Sequence, residues 1–329
     1  MFIGHALLAF ALAVLIAEWR GWDTRQAFAL GIATGAFAAL PDVDVLYAAV
    51  AADPTKFVAG AAVRPEAFWG PANEAHRLMT HSLVVAALAG PAFGLWTLRS
   101  ERGWRRGAAA LAAVVLAALV AVAGLTSGLV GAFVVGAFVL VGVVLAEAAR
   151  SRLALSPRIV ALAATAGIAS HPWGDLVTGE PPALFYPLNV SLLSERILLS
   201  SDPTLHLLGA FGLELGVVAL AVGVVARQLE YEPHRLIDRR ALLGVAYGVA
   251  AVVMTPPTIH LSYRFVGSIL AVGGVCGVAH PSVRGWYPLR TVLDRLVGTT
   301  ERALRTVLTT LTGIAIALVS YGAVYLAIS

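Results

Sequence analysis

The sequence predicts an all-α fold, a polytopic transmembrane bundle of about ten helices. Three observations predict it. The chain is 59% hydrophobic and 13% charged, with a mean hydropathy of +0.84; a soluble domain is about 45–50% apolar and about 25% charged. Ten apolar runs approach the ~20 residues that a spanning helix needs. Lys and Arg are rich and poor in alternate loops, the pattern of a chain that crosses a membrane repeatedly.

The runs are 2–17, 26–40, 82–98, 107–123, 128–147, 158–176, 204–226, 241–255, 265–279 and 307–327. The first lacks a basic stretch ahead of it, so it reads as a helix and not as a cleaved signal. Arg20 and Arg25 divide it from the second. The third ends at the cluster Arg99, Arg102, Arg105 and Arg106, and the fourth and fifth are parted by Gly124-Leu125-Thr126-Ser127-Gly128. Arg150, Arg152 and Arg158 precede the sixth; Arg227, Arg235, Arg239 and Arg240 follow the seventh. The eighth is short and ends at Pro256-Pro257. Arg284, Arg290, Arg295, Arg302 and Arg305 separate the last two. These alternate loops hold 18 of the 23 basic residues, and the others hold 5: Lys56, Arg64, Arg77, Arg196 and Arg264. Loops rich in Lys and Arg lie in the cytoplasm, so both termini are expected outside it.

Other classes are excluded. The net charge of +4 is dispersed over short loops, which is not a nucleic-acid footprint. Cys276 is the single cysteine, so neither an intramolecular disulfide nor a Cys-based metal site can form. There are no repeats. In 280–306 apolar and basic residues mix, as expected for a helix lying on the cytoplasmic membrane surface. The expected partner is membrane lipid; protein partners are not indicated.

Short polar islands interrupt the apolar runs: Gly4-His5, Pro41-Asp42-Val43-Asp44, His76-Arg77-Leu78-Met79-Thr80-His81-Ser82 and His171-Pro172-Trp173-Gly174-Asp175. Ionisable residues at membrane depth are costly and usually functional, and His nitrogens with carboxylates are what zinc and similar ions coordinate. His171 and Asp175 are four apart and share a helix face; the alternative is a buried His–Asp hydrogen bond. Asp42 and Asp44 either share one side of an extended segment or splay from a helix end; otherwise they are solvated carboxylates at a helix stop. His76 and His81 are five apart, about 140° on a helix, so they cannot both face one ion from a regular helix. Thr80 is a candidate cap or ligand-orienting residue, Arg77 a candidate for an anionic substrate group, and Glu74 a candidate general base. His5 reads either as a ligand or as an interfacial histidine. By the Lys and Arg count all seven, His5, Asp42, Asp44, His76, His81, His171 and Asp175, fall on the extracytoplasmic side.

Taken in order, these islands, with Thr178-Gly179 and Leu184-Phe185-Tyr186-Pro187 after the last, resemble the membrane-bound metal-dependent hydrolases of the LexA-binding inner-membrane type. The resemblance covers about residues 1–190, and the helices of 203–329 look like an extension of open role. This chain has Leu78 where members have glycine, and its Thr178-Gly179-Glu180-Pro181-Pro182 also departs from the pattern. The ligand pattern is in turn remotely similar to zinc-dependent phospholipases C.

The resemblance implies a metal-dependent hydrolase of the cytoplasmic membrane, with its metal-site core in the first six helices. The seven island residues would hold one to three divalent ions, zinc foremost. Asp44 or Glu74 would act as base and Arg77 as anion binder, on a phosphoester such as a lipid or envelope head group. The rival readings are a transporter, disfavoured because the cytoplasmic halves of the helices carry few polar residues, and a structural or partner-binding membrane protein with a retained metal.

Overall fold

The computed structural model describes residues 2–47, 79–98, 103–178, 181–278 and 300–329, except 189, 191 and 194. The described chain is all-helical. It forms two compact units, Met1–Ile197 and Leu198–Ser329. Among the described residues, four helical stretches are long and apolar enough to cross a membrane: Thr24–Val45, Arg106–Ser151, Pro203–Gln228 and Thr300–Ile328. Ile3–Trp19, Leu83–Trp96 and Tyr263–Val278 are shorter apolar helices.

In the first unit α1 (Phe2–Trp19) turns at Gly21, whose φ of +75° suits glycine, into α2 (Thr24–Ala39). Asp23 caps α2 by accepting the Gln26 N–H at 2.9 Å. Gly31 and Gly35 form a small-xxx-small stripe. A Cβ on Gly35 would sit 2.8 Å from the Ala6 carbonyl oxygen and 3.2 Å from Phe10, so only glycine lets the backbones approach this closely. The same device joins α3 (Leu83–Trp96) to α5 (Pro157–Ser170): Gly90 lies against Thr165 and Gly94 against Ala161. Gly167 of α5 in turn lies against the Thr34 carbonyl and Phe37 of α2. Phe37, Phe93 and Phe138 fill the centre, with ring centroids 5.7 and 6.1 Å apart.

Between α3 and α5 runs α4 (Gly103–Ser151), with non-helical backbone at Ser127 and Gly128. Residues eight apart on a straight helix lie about 12 Å apart. Here a Cβ on Gly124 would stand 3.4 Å from that of Ala132, and one on Gly131 would collide with the Ala123 carbonyl. The chain therefore folds back, and the two arms pack together through Ala123 and Val135.

In the second unit Asp202 caps α7 (Pro203–Gln228), accepting the Leu205 N–H at 2.8 Å and the Tyr325 hydroxyl at 3.0 Å. These hydrogen bonds, that of Leu205 first, hold its carboxyl below the usual carboxylate range. Arg239–Val249 is wound as a 3-10 helix and continues as α-helix over Ala250–Val253. Of its buried residues, Ala241, Gly244, Tyr247 and Gly248, the first three are spaced at the 3-10 period. They face α9 (Thr300–Ile328), where Gly244 sits on the Gly313 carbonyl. α8 (Tyr263–Val278) packs on α9 through Gly273 and Ile314, around the rings of Tyr247, Phe265 and Tyr321.

Among the described residues there are nine α-helices of seven residues or more, not ten. Three differences from expectation have physical causes. The runs 107–123 and 128–147 form one bent element. The run 158–176 is broken at Pro172, which lacks an N–H to continue the hydrogen-bond ladder of α5; His171 keeps helical backbone, but α5 stops at Ser170 and α6 (Pro172–Thr178) begins anew. The short run 241–255 is mainly 3-10. At ~2.0 Å per 3-10 residue, Arg239–Val253 reaches about 28 Å, near the ~30 Å hydrocarbon depth. The stretch 280–306 lies mostly outside the described residues.

Candidate metal centre

Four local features bring the polar islands together. His5 sits in the second turn of α1. Pro41 opens a 3-10 turn, Leu40–Val45, at the end of α2. At three residues per turn, positions two apart point in different directions, so Asp42 and Asp44 splay to different partners. His81 precedes α3, whose cap is Ser82 and not Thr80: the Ser82 hydroxyl accepts the Val84 and Val85 N–H groups. His171 stands at the break before Pro172, and Asp175 one turn on in α6.

His171 Nε2 lies 3.0 Å from His81 Nε2 and 3.4 Å from Asp42 Oδ1. Asp175 Oδ2 is 3.3 Å from His81 Nε2, and Asp175 Oδ1 is 3.3 Å from His5 Nε2. Two sets of ligand atoms each lie within 4.8 Å of one another: His5, His171 and Asp175, and Asp42, His81 and His171. His171 belongs to both. His81, His171 and Asp44 are 0% exposed, Asp175 3% and His5 6%. A Cβ on Gly174 would strike the His5 ring, so glycine is what lets that ring reach the cluster.

Partners settle the tautomers. His171 Nδ1 is 2.6 Å from the Ala38 carbonyl oxygen, which can only accept. Nδ1 therefore carries the hydrogen, and Nε2 presents a lone pair. The Thr80 hydroxyl donates to Asp44 Oδ2 at 3.0 Å, so its oxygen accepts from His81 Nδ1, also at 3.0 Å. Asp44 Oδ2 lies 3.5 Å from the same nitrogen. His81 Nε2 is then a lone pair too. The Nε2 atoms of His81 and His171 and the carboxylates of Asp42 and Asp175 converge in a largely buried space. A buried polar atom without a hydrogen bond is costly, and Asp42 Oδ2 is buried and has no hydrogen-bond partner. His nitrogens with carboxylate oxygens are the donor set that zinc accepts. The residues fit a metal.

A family profile described as YdjM inner membrane protein matches residues 1–258. The chain belongs to the YdjM inner membrane protein family. Membership and apolar helices together place it in the cytoplasmic membrane. The YdjM match contains the whole cluster and runs past the 1–190 expected for the resemblance, through α7 and the 3-10 segment; only the region from 259 on lies beyond it. The YdjM description states a location and no reaction, and it carries no likeness to phospholipase C. No curated protein and no solved structure matches the chain.

His76, Arg77 and Glu74 lie outside the described residues. The structure brings the other six expected residues together, but Asp44 faces Nδ1 of His81 and not the side where the Nε2 atoms meet. That placement shows in no sequence spacing. Nor does the clasp beside the cluster, in which Ser82 Oγ donates to the Tyr186 carbonyl at 2.7 Å and the Leu83 N–H to the Leu184 carbonyl at 2.8 Å.

Proposed function

We propose that this protein is a membrane-embedded, metal-dependent hydrolase of phosphoesters, with its site at the extracytoplasmic face. One observation carries the reading: the Nε2 atoms of His81 and His171 meet at 3.0 Å, flanked by Asp42 and Asp175. The Lys and Arg asymmetry supports ten spans, with the two arms of α4 as separate crossings, and both termini outside the cytoplasm.

His5, Asp42, His81, His171 and Asp175 hold the metal, zinc foremost, as one to three ions with His76 as a further candidate ligand. A bound divalent ion supplies Lewis acidity, polarising the phosphoryl oxygen and acidifying water. Asp44 is not suited to be the base: it is fully buried and engaged with Thr80 and His81. It holds the His81 ring in the tautomer that exposes Nε2, the positioning that carboxylates give to metal-bound histidines. Glu74 then remains as the base that takes a proton from water. Arg77 binds the anionic phosphoryl group, for which its planar fork is suited. The water oxygen would form a new bond to phosphorus as the ester P–O bond breaks, and the leaving alcohol would take up the proton that Glu74 removed from the water.

Two outcomes test this. Asp175→Ala, which removes the bridge between His5 and His81, abolishes phosphodiester cleavage by the detergent-purified protein while its helical circular dichroism is retained. Cleavage at the wild-type rate in that variant refutes the reading. Asp44→Asn keeps the volume but weakens the hold on His81 Nδ1, and lowers zinc affinity by roughly 10- to 100-fold in a competition titration against a chelator.

A further inference from the structure

The connector after α6 is the most apolar exposed irregular segment among the described residues. Leu188, Val190, Leu192, Leu193 and Ile197 are all exposed, Leu188 at 60% and Leu192 at 64%. Its described charges are confined to one point, Glu195-Arg196. It is also tied to the site at both ends. At one end the Leu184 and Tyr186 carbonyls take the Leu83 N–H and the Ser82 hydroxyl, next to His81. At the other the Ile197 N–H donates to the Leu176 carbonyl at 2.7 Å, next to Asp175.

Irregular backbone cannot lie exposed within the hydrocarbon, where its N–H and C=O groups go unsatisfied. A row of exposed Leu, Val and Ile side chains is equally unsuited to water. The membrane interface satisfies both, with backbone at head-group level and apolar side chains among the acyl chains.

We propose that residues 184–197 form a loop inserted into the adjacent leaflet, and that it admits the head group of a membrane phospholipid to the His/Asp cluster. The substrate class rests on the hydrolase reading above; the insertion does not.

The test uses Leu188→Cys and Leu192→Cys, each alone in the full chain with the buried native cysteine replaced, Cys276→Ser. Each is labelled with a polarity-sensitive fluorophore and reconstituted in phosphatidylethanolamine–phosphatidylglycerol vesicles. Glu232→Cys, at an exposed side chain, is the aqueous reference. Insertion is read as a blue shift at both loop positions, quenching by lipids with a nitroxide high on the acyl chain, and protection from iodide. Emission and iodide quenching equal to the reference at both positions overturn the proposal, even if phosphoesters are cleaved. Inserted probes without any cleavage uphold the loop and refute the hydrolase reading, so the two failures are distinguishable.

Discussion

Purified in detergent and incubated with zinc, the wild-type protein retains about one equivalent of metal or more, and a His81→Ala/His171→Ala variant retains none. The expected loss is complete because His171 belongs to both ligand sets and His81 to the one with Asp42. Without them, His5 and Asp175 remain of one set and Asp42 alone of the other. Zinc sites use three or four protein ligands, and neither set keeps that number. The fold should survive. His81 precedes α3 and His171 ends α5, and neither belongs to the Phe37–Phe93–Phe138 centre that joins the helices. Elemental analysis of both proteins, with helical content alongside, reads the result. A well-folded wild type that binds no metal would show the cluster to be a hydrogen-bonded structural feature, held by protons.

Gly90→Leu is expected to do the reverse, harming the fold first and the cluster as a consequence. A Cβ at this position would stand 2.6 Å from Thr165 Cα and 2.7 Å from Thr165 N. These are backbone atoms in the middle of α5, so no side-chain rotation relieves the clash and the helices must separate. Overpacking a tight contact costs about 1–3 kcal/mol, and here it falls on the α3–α5 crossing, where close approach through small residues is the main source of association. His81 stands at the entry to α3 and His171 at the exit from α5, so separation also opens the 3.0 Å approach of their Nε2 atoms. The variant should melt at lower temperature and bind zinc more weakly than wild type. Gly136→Ala is the control: nothing lies within 4 Å of its Cβ position, and replacing a helical glycine there stabilises by about 0.5–1 kcal/mol. Equal melting of Gly90→Leu and wild type would show that this crossing does not hold the unit together.

Much of the architecture was legible because a bilayer is a demanding solvent. It requires apolar runs of fixed length, satisfied backbone and a loop charge bias, all properties of local sequence. The helical segments therefore stand close to their expected places, and the polar islands stood out because polar residues are rare in such runs. The candidate ligands came from residue type alone.

What the sequence by itself determined was the class of protein, the spacing of its helices and the set of residues able to coordinate an ion. Tertiary structure decided how those residues meet. Only the folded chain sets the Ala38 carbonyl against His171 and the Thr80–Asp44 pair against His81, which places Asp44 at the Nδ1 side of that ring. Only the folded chain sets Gly244 and Gly248 of Arg239–Val249 against α9, at Gly313 and Ser320. The physical reason is the same in each case: periodicity assigns a side chain to a face, but the atom that it meets is set by backbones far apart in sequence, approaching where glycine permits.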